Sequence, residues 1–276
     1  MSHEQLSDVK QIYDERSEVY DDSFHPQQAQ DIIELAQLKP GQSVLDLACG
    51  TGLVANLAKK AVGKTGKVIG VDISGNMLAK AKSKAVQAGL DVTWFEGDIA
   101  DLSNFNLHSQ IERGFDFITC IAALVLLHDP LSAVRHWKTL LAPGGRIITD
   151  VPLPDCFESG HILQDVAHEL VGSKAIPYDR SWITGPDSVK QLFADAGFEV
   201  EKLVISDSYF TEDFSVDDAE SIFDKTTSNP MFNRLREPHV VDKARALFAA
   251  KWVEQAGPKG RVKSEARLYV AVARAL

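Results

Sequence analysis

The chain has 276 residues, and its 39 acidic against 29 basic residues leave a formal net charge of −10. Nucleic acids and anionic membrane surfaces are bound through clusters of Lys and Arg, so this charge argues against both as main partners. The longest nearly continuous apolar run, residues 117–127, is much shorter than the ~20 residues that span a bilayer. The N-terminus is acidic, unlike a signal peptide, and the three cysteines lack a metal-binding spacing. We therefore expect a cytoplasmic protein that binds no metal.

The first half of the chain alternates between strand-like and helix-like segments. Apolar runs predict strands, and apolar residues at helical spacing predict helices. In chain order we predict helices at 5–22 and 27–37, a strand at 43–48, a helix at 53–62, a strand at 67–72, a helix at 75–88, strands at 91–96 and 115–121, a helix at 131–141, a turn at 143–145 and a strand at 146–151. Continuously apolar strands that alternate with helices favour a doubly wound α/β fold with a mostly parallel sheet.

The second half of the chain is less regular. We predict a helix at 186–196, a strand at 198–205 and a last strand at 266–274. The intervening residues 206–262 are interpreted as a helical insertion, with helices at about 215–226 and 239–255. Ser215 and Asp218 have the spacing of a capping box.

One motif carries the predicted chemistry. In SVLDLACGTG, residues 43–52, a strand that ends near Asp46 is followed by a loop of small residues before a helix. Small residues let the backbone approach a ligand closely, and a helix N-terminus offers N–H groups. The loop alone also fits a dinucleotide-binding pattern.

Two further acids make the motif more specific. Asp72 ends the second strand, 20 residues after Gly52, where an acid reaches ribose hydroxyls. Asp98 follows the third strand, where a carboxylate could accept a hydrogen bond from an exocyclic amine.

Five ordered segments then carry a family resemblance. They are VLDLACGTG (44–52), VIGVDISGNML (68–78), EGDIADL (96–102), FDFITCIAALVLLHDP (115–130) and LLAPGGRIITDV (140–151). With them the chain resembles the class I S-adenosylmethionine-dependent methyltransferases, in particular the ubiquinone/menaquinone-biosynthesis type. The resemblance covers residues 40–205 and implies a seven-stranded Rossmann-like sheet, in which ARLYVAVAR would be the antiparallel seventh strand.

The resemblance implies S-adenosylmethionine as the cofactor and gives roles to particular residues. Asp46 and the loop 48–52 would hold its methionine end, Asp72 its ribose hydroxyls and Asp98 its adenine amine. The implied cofactor site consists of Tyr20, Asp46, Ala48, Gly50, Thr51, Gly52, Asp72, Ile73, Met77, Asp98, Ile99, Ile121 and Ala122.

The acceptor side is expected in three places. The N-terminal segment resembles the lid helix of these enzymes, although a plain surface helix would show the same pattern. His128, at the carboxyl edge of the sheet, is the leading candidate for a general base, ahead of His25 and His161; its alternative role is to cap the next helix. We expect the insertion to cover the acceptor pocket. The predicted acceptor-side residues are Tyr13, Phe24, His25, His128, Phe210 and Phe214.

The predicted organisation is a single methyltransferase domain over 1–276. It comprises a helical lid (1–38), a cofactor-binding core (39–205), the insertion (206–262) and the last strand (263–276). The expected activity is methyl transfer to a small, largely apolar organic acceptor, with oxygen or nitrogen favoured as the attacked atom. The alternatives are an NAD(P)-dependent oxidoreductase and a cofactor-binding protein of this fold without transfer activity.

Overall fold

The computed structural model describes residues 3–172 and 179–276. Its helices are α1 (His3–Arg16), α2 (His25–Ala36), α3 (Leu53–Val62), α4 (Gly75–Gln87), α5 (Leu107–Gln110), α6 (Pro130–Lys138), α7 (Glu158–Val171), α8 (Pro186–Asp195), α9 (Ala219–Thr227) and α10 (Val241–Ala256). Its strands are β1 (Ser43–Leu47), β2 (Lys67–Asp72), β3 (Thr93–Glu96), β4 (Phe115–Cys120), β5 (Leu141–Pro152), β6 (Phe198–Ile205), β7 (Thr211–Ser215), β8 (Arg261–Glu265) and β9 (Leu268–Ala275).

A seven-stranded sheet in the order β3–β2–β1–β4–β5–β9–β6 organises the fold. The pairs β1–β2, β1–β4, β2–β3 and β4–β5 are parallel, whereas β9 runs antiparallel to β6. Every residue of β1 is buried, as expected for a strand covered on both faces. The predicted doubly wound, mostly parallel α/β fold is therefore confirmed.

The strand order places a ligand crevice at a defined point. The chain moves outward from β1 through β2 to β3 and then returns to β4 on the other side of β1. In open α/β sheets, ligands bind beyond the carboxyl ends of the strands where the order reverses in this way. The end of β1, where Asp46 lies opposite Thr119 of β4, is that point.

The N-terminal helix is shorter than predicted. The helix expected over 5–22 ends at Arg16, and a separate 3-10 turn covers Tyr20–Asp22. The Ser17 hydroxyl donates to the backbone oxygen of Asp14 at 2.8 Å, and a side-chain bond of this kind competes with continued helix. The rings of Tyr13 and Tyr20 lie 6.5 Å apart across this break.

The Pro143–Gly145 segment does not end a strand, contrary to the predicted turn. β5 begins at Leu141 and runs through it. Phe115 pairs with Leu141 and Phe117 with Arg146, so the extra residues form an irregularity in the pairing. A bulge accepts such residues because Gly144 adopts a φ of +71°. The helix expected to reach 141 accordingly stops at Lys138.

The chain divides into two compact units. The first comprises Met1–Val151, Arg180–Ser206 and Leu268–Leu276, and the second comprises Pro152–Asp179 and Asp207–Arg267. The first unit contains the seven-stranded sheet except Pro152, the last residue of β5. No helix within the described ranges combines the length and the apolar composition needed to cross a bilayer.

The second unit has its own apolar core, in which Phe223, Phe248 and Trp252 pack with residues of α7. The capping box of Ser215 and Asp218 is confirmed. The antiparallel pair β7–β8 and helix α7 were not predicted. The predicted core at 39–205 includes residues 158–171, whereas the contacts group these residues with 207–267.

Candidate functional site

The loop after β1 is shaped by three residues with left-handed backbone. Ala48, Gly50 and Gly52 have φ values of +52°, +52° and +77°. A Cβ atom on Gly52 would lie 2.9 Å from side-chain atoms of both Ala81 and Trp94, so the tight packing of this loop on its neighbours requires glycine. No side chain in the described structure caps the start of α3, and helix N-termini of this kind suit the anionic end of a ligand.

Asp72 ties this loop to the end of β2. Its Oδ2 accepts a hydrogen bond from the N–H of Gly50 at 2.7 Å, and its Oδ1 accepts one from the N–H of Ser74 at 2.8 Å. Burial raises the pKa of this carboxyl to about 6, although both N–H groups oppose the rise. A carboxylate has about four acceptor positions, so Asp72 retains capacity for two ligand hydroxyls.

Asp46 lies deeper, at the end of β1, and only 1% of it is exposed. The Thr119 hydroxyl donates to its Oδ1 at 2.6 Å. Its Oδ2 is buried and makes no hydrogen bond of normal geometry within the described residues. Burial raises its pKa to about 7, while Thr119 and the N–H of Ala55 lower it in part. A buried acceptor without a donor is costly, so a ligand N–H group at this oxygen would be favourable.

A larger cavity, with about 590 Å³ of empty space when the part open to solvent is included, lies between the N-terminal segment and the carboxyl ends of the first four strands. Most of its wall is apolar, but Asp72 and Asp98 both border it. The Oδ1 of Asp98 accepts from the N–H of Ala100 at 2.8 Å. The residues that line it are Leu6, Val9, Tyr13, Tyr20, Ala48, Gly50, Asp72, Ile73, Gly97, Asp98, Ile99, Ile121, Ala122, Ala123, Leu126 and Leu127.

A smaller cavity of about 350 Å³ lies at the start of α3. Tyr20, Ala48, Gly50 and Ile121 line both cavities, so the two adjoin at these residues. The remaining wall of the smaller cavity consists of His25, Gln28, Ala29, Asp46, Cys49, Thr51, Leu53 and Val54. The pair offers one largely apolar chamber and one more polar chamber that meet beside Tyr20.

The N-terminal segment is held against α4 by a row of polar contacts. Glu18 pairs with Lys80 at 2.9 Å, and Asp21 pairs with Lys84. Asp14 accepts from the Ser74 hydroxyl at 2.5 Å. This row, together with the bond from the Lys10 ammonium to the Ile73 oxygen at 2.9 Å, places the segment over the larger cavity.

Comparison with known proteins agrees with this geometry. A family model described as a methyltransferase domain matches residues 22–203. The chain belongs to this methyltransferase family.

Among curated relatives, demethylmenaquinone methyltransferase of Oceanobacillus iheyensis is 25% identical over 213 residues, which cover 71% of this chain and 86% of that protein. The ubiquinone/menaquinone biosynthesis C-methyltransferase of Bdellovibrio bacteriovorus is 31% identical over 143 residues, covering 52% of this chain and 58% of that one. The solved magnesium protoporphyrin IX methyltransferase of Synechocystis, with bound S-adenosylhomocysteine, has a TM-score of 0.53 at 15% identity over 92% of this chain and 84% of that one. The predicted class I S-adenosylmethionine-dependent methyltransferase of ubiquinone/menaquinone-biosynthesis type is confirmed.

The structure of the methyltransferase brings most of the predicted cofactor residues to the two cavities. Met77 is an exception, since it is fully buried in α4 and is not among the described residues that line either cavity. Gly52 instead shapes the loop through its close packing against Ala81 and Trp94. The backbone oxygen of Ile99 accepts a hydrogen bond from the Trp137 indole N–H at 2.8 Å. This bond holds the backbone in place next to Asp98.

The predicted acceptor-side residues are spread more widely. Tyr13 lines the larger cavity and His25 the smaller one, and Phe24 packs against the ring of His25. His128 is exposed and does not contribute to either described cavity lining, so its role as a base stays a prediction. Phe210 and Phe214 belong to the second unit, where they pack on Phe157 and Trp252.

The sequence did not reveal two hydrogen-bonded polar residues, Asp150 and Gln28, beside the methyltransferase site, and it did not single out the apolar residues of the cavity walls. Asp150, which is 3% exposed, accepts from the N–H of Ala122 at 2.7 Å and from the Gln28 side chain. Burial raises its pKa to about 6. Ala122 has a left-handed φ of +57°, so Asp150 stabilises an unusual backbone turn at the cavity wall. An acid near the carboxyl end of a fifth strand was the available signal for Asp150, whereas no signal pointed to Gln28.

The residues present fit an adenosyl cofactor with an amino-acid tail. Asp72 and Asp98 border the larger cavity with spare acceptor capacity, and the unsatisfied Oδ2 of Asp46 lines the smaller one. No group of three or more metal-binding side chains occurs in the described ranges. Burial raises the pKa of the Cys49 and Cys120 thiols, which suits packing rather than nucleophilic roles.

Proposed function

We propose that this methyltransferase moves a methyl group from S-adenosylmethionine to a small, largely apolar organic acceptor. One observation carries the proposal: Asp46, Asp72 and Asp98, from the ends of three strands, border two adjoining cavities. The cofactor supplies an activated methyl on a sulfonium. The protein therefore acts mainly by holding the acceptor in line, an effect that can contribute about 7–11 kcal/mol.

Each part of the site has a role in this proposal. Asp72 accepts hydrogen bonds from the two ribose hydroxyls, and Asp98 with Ile99 and Ile73 binds the adenine in the larger cavity. Asp46 and the loop 48–52 hold the methionine end in the smaller cavity. Tyr20 lies where the two cavities meet and lines both of them together with Ile121, so it borders the place where the sulfonium would join the adenosyl and methionine ends.

The acceptor is proposed from the chemistry of the cavity wall. Leu6, Val9, Leu126 and Leu127 contribute to the apolar wall of the larger cavity. Such walls select flat or aliphatic organic molecules with few polar groups. The relatives named above are a demethylmenaquinone methyltransferase and a C-methyltransferase, so attack through carbon joins the oxygen and nitrogen attack favoured by the sequence. The roles of His128 and of residues 206–262 at the acceptor stay predictions.

The charge on Asp46 separates this proposal from NAD(P) binding. A dinucleotide places its pyrophosphate at a glycine loop of this kind. The wall of the smaller cavity contains a carboxylate, and no Lys or Arg occurs among its described lining residues. A carboxylate repels a pyrophosphate and attracts an ammonium, which supports the methionine-bearing cofactor.

The first test is thermal unfolding with S-adenosylmethionine, S-adenosylhomocysteine or NAD(P) at about 100 times a plausible Kd, where a bound ligand adds about 2.7 kcal/mol. For a chain of this size, each kcal/mol shifts Tm by about 2–4 °C. We expect shifts with the first two ligands and none with NAD(P). Stabilisation by NAD(P) alone would contradict the proposal.

The second test is turnover. Purified protein is incubated with S-adenosylmethionine and a panel that contains a demethylated naphthoquinol, a catechol, a phenol and an aromatic amine. Mass spectrometry then detects acceptors that have gained one methyl group. Binding of the cofactor without formation of S-adenosylhomocysteine from any acceptor would instead favour a fold that lacks transfer activity.

A further inference from the structure

A chain of polar side chains that begins in the wall of the smaller cavity, with His25 and Gln28, and continues to Asp150 has no part in the roles given above. The Gln28 amide nitrogen donates to Oδ2 of Asp150, and the Gln28 amide oxygen lies 2.8 Å from Nδ1 of His25. The other oxygen of Asp150 accepts from the N–H of Ala122. An ionised carboxylate can only accept, so Asp150 orients Gln28 with its nitrogen toward Asp150 and its oxygen toward His25.

This orientation determines which ring nitrogen of His25 carries a proton. An amide oxygen can only accept, so Nδ1 of His25 must be the donor and Nε2 is an unprotonated acceptor in the neutral ring. Burial lowers the pKa of His25 to about 4, with Arg16 acting in the same direction and Gln28 and Asp21 opposing it. The ring stacks on Tyr20 with centroids 4.3 Å apart, which restricts its rotation. At neutral pH, Nε2 therefore carries a lone pair that can accept a hydrogen bond.

The smaller cavity therefore presents two acceptors on one wall. His25 and Asp46 both line it, and Oδ2 of Asp46 lacks a hydrogen bond of normal geometry in the described chain. Lys and Arg are absent from its described lining. A wall of this kind suits a ligand group with several N–H donors and a positive charge, which is an ammonium.

We propose that Nε2 of His25 accepts a hydrogen bond from the ammonium of the cofactor's methionine moiety, with Gln28 and Asp150 as positioning residues that keep Nε2 unprotonated. The inference rests on the proposed function. It moves His25 from the acceptor side, where the sequence analysis placed it, to the cofactor side, because His25 lines the cavity of Asp46 and the start of α3.

Ligand pairs provide the first experiment. S-adenosylhomocysteine has the amino-acid tail, whereas 5′-methylthioadenosine lacks it. Calorimetry at pH 7.5 compares the wild type, His25→Phe, which keeps a ring against Tyr20, and His239→Ala, an exposed histidine of the second unit, as the matched control. A hydrogen bond to a charged group is worth about 1.5–3 kcal/mol. We therefore expect His25→Phe to weaken the binding of S-adenosylhomocysteine at least about tenfold and the binding of methylthioadenosine less than twofold.

The outcomes separate the two proposals. Equal losses for both ligands, or no loss for either, would overturn the role of His25 while leaving cofactor binding intact. A wild-type protein that binds neither ligand would overturn the proposed function itself.

The tautomer supplies a second experiment that requires no ligand. Nitrogen-15 NMR of the histidine rings distinguishes a proton on Nδ1 from one on Nε2. In Asp150→Asn, the Asn oxygen stays on the Ala122 N–H and its amide nitrogen faces Gln28, which must turn over and present N–H to Nδ1. We expect the proton of His25 to lie on Nδ1 in the wild type and on Nε2 in Asp150→Asn, with weaker S-adenosylhomocysteine binding by the variant. A wild-type ring protonated on Nε2, or no change in the variant, would refute the positioning role.

Discussion

Asp72 shows how one carboxylate organises a site before any ligand arrives. Its two oxygens accept from Gly50 and Ser74, which connects the end of β2 to the loop after β1 and to the start of α4. Asp150 does the same for α2 and the turn at Ala122. The position of Asp72 was evident from the sequence because strand ends are visible in the apolar pattern. The contacts of Asp150 were not, since they depend on a residue 122 positions away.

At the residue scale, Asp72→Asn should weaken the binding of S-adenosylhomocysteine by about 10–100-fold. The reason is the loss of charged hydrogen bonds to the ribose, worth about 1.5–3 kcal/mol. Calorimetry measures the change, with the exposed Asp101→Asn as the control that keeps wild-type affinity. Unchanged binding of S-adenosylhomocysteine by a folded Asp72→Asn protein would show that Asp72 does not bind the ribose hydroxyls.

The raised pKa of Asp46 predicts an unusual pH dependence of stability. The folded protein holds the Asp46 proton with a pKa of about 7, against 3.8 for the ordinary carboxyl. The folded state therefore binds more protons than the unfolded state between these values, and its stability rises as the pH falls through 7. The buried His25, whose pKa is lowered, opposes this trend below about pH 6.5.

When the pH falls from 8 to 6.5, we therefore expect the free energy of unfolding to rise by about 1 kcal/mol more in the wild type than in Asp46→Asn. Urea unfolding of both proteins without ligand, at the two pH values, gives the four free energies of unfolding from which this difference is calculated. Parallel pH profiles for the two proteins would show that Asp46 titrates normally in the folded state.

At the scale of elements, the strands were predicted more successfully than the segments that surround the site. β1, β2 and β4 are mostly apolar segments, and their burial follows from this composition. The end of α1 depends on a local hydrogen bond of Ser17. β7 consists of Thr-Glu-Asp-Phe-Ser, which has little strand character and forms a strand only because β8 pairs with it.

The contact row between the N-terminal segment and α4 predicts a kinetic effect. Replacing both Lys80 and Lys84 by Met removes two partly exposed ion pairs, each worth about 0.2–1 kcal/mol. We expect S-adenosylhomocysteine to dissociate about 2–30-fold faster, with a smaller dependence of the rate on salt. Stopped-flow fluorescence measures the rate, and Lys225→Met, which removes a similar pair with Glu212 in the second unit, is the control. A rate equal to that of the control would show that the row does not hold the segment closed.

At the scale of the whole molecule, the two compact units differ in what they contain. All the described residues that line the two cavities belong to the first unit. The second unit has a core of its own around Phe223, Phe248 and Trp252. Cofactor binding should therefore depend on the first unit alone.

Phe248→Ala tests this separation. Phe248 is fully buried, and removal of such a ring costs about 3–5 kcal/mol, which should appear as faster hydrogen exchange in α7, α9 and α10. The Kd for S-adenosylhomocysteine should stay within about twofold of wild type, and Val253→Ala, at an exposed position of the same helix, should change neither quantity. Loss of cofactor affinity in a variant whose first unit remains protected from exchange would contradict the separation.

The amino-acid sequence by itself determined the sheet, the position of its crevice and the acids that border it. These features depend on apolar runs and on residues at strand ends, and neighbouring residues in the chain are sufficient to specify them. Only the tertiary structure decided that His128 is exposed, that Asp150 and Gln28 orient His25, and that residues 158–171 pack with 207–267. The physical reason is that these features depend on hydrogen bonds and packing between residues far apart in the chain. The local sequence pattern does not indicate which distant residues will come into contact.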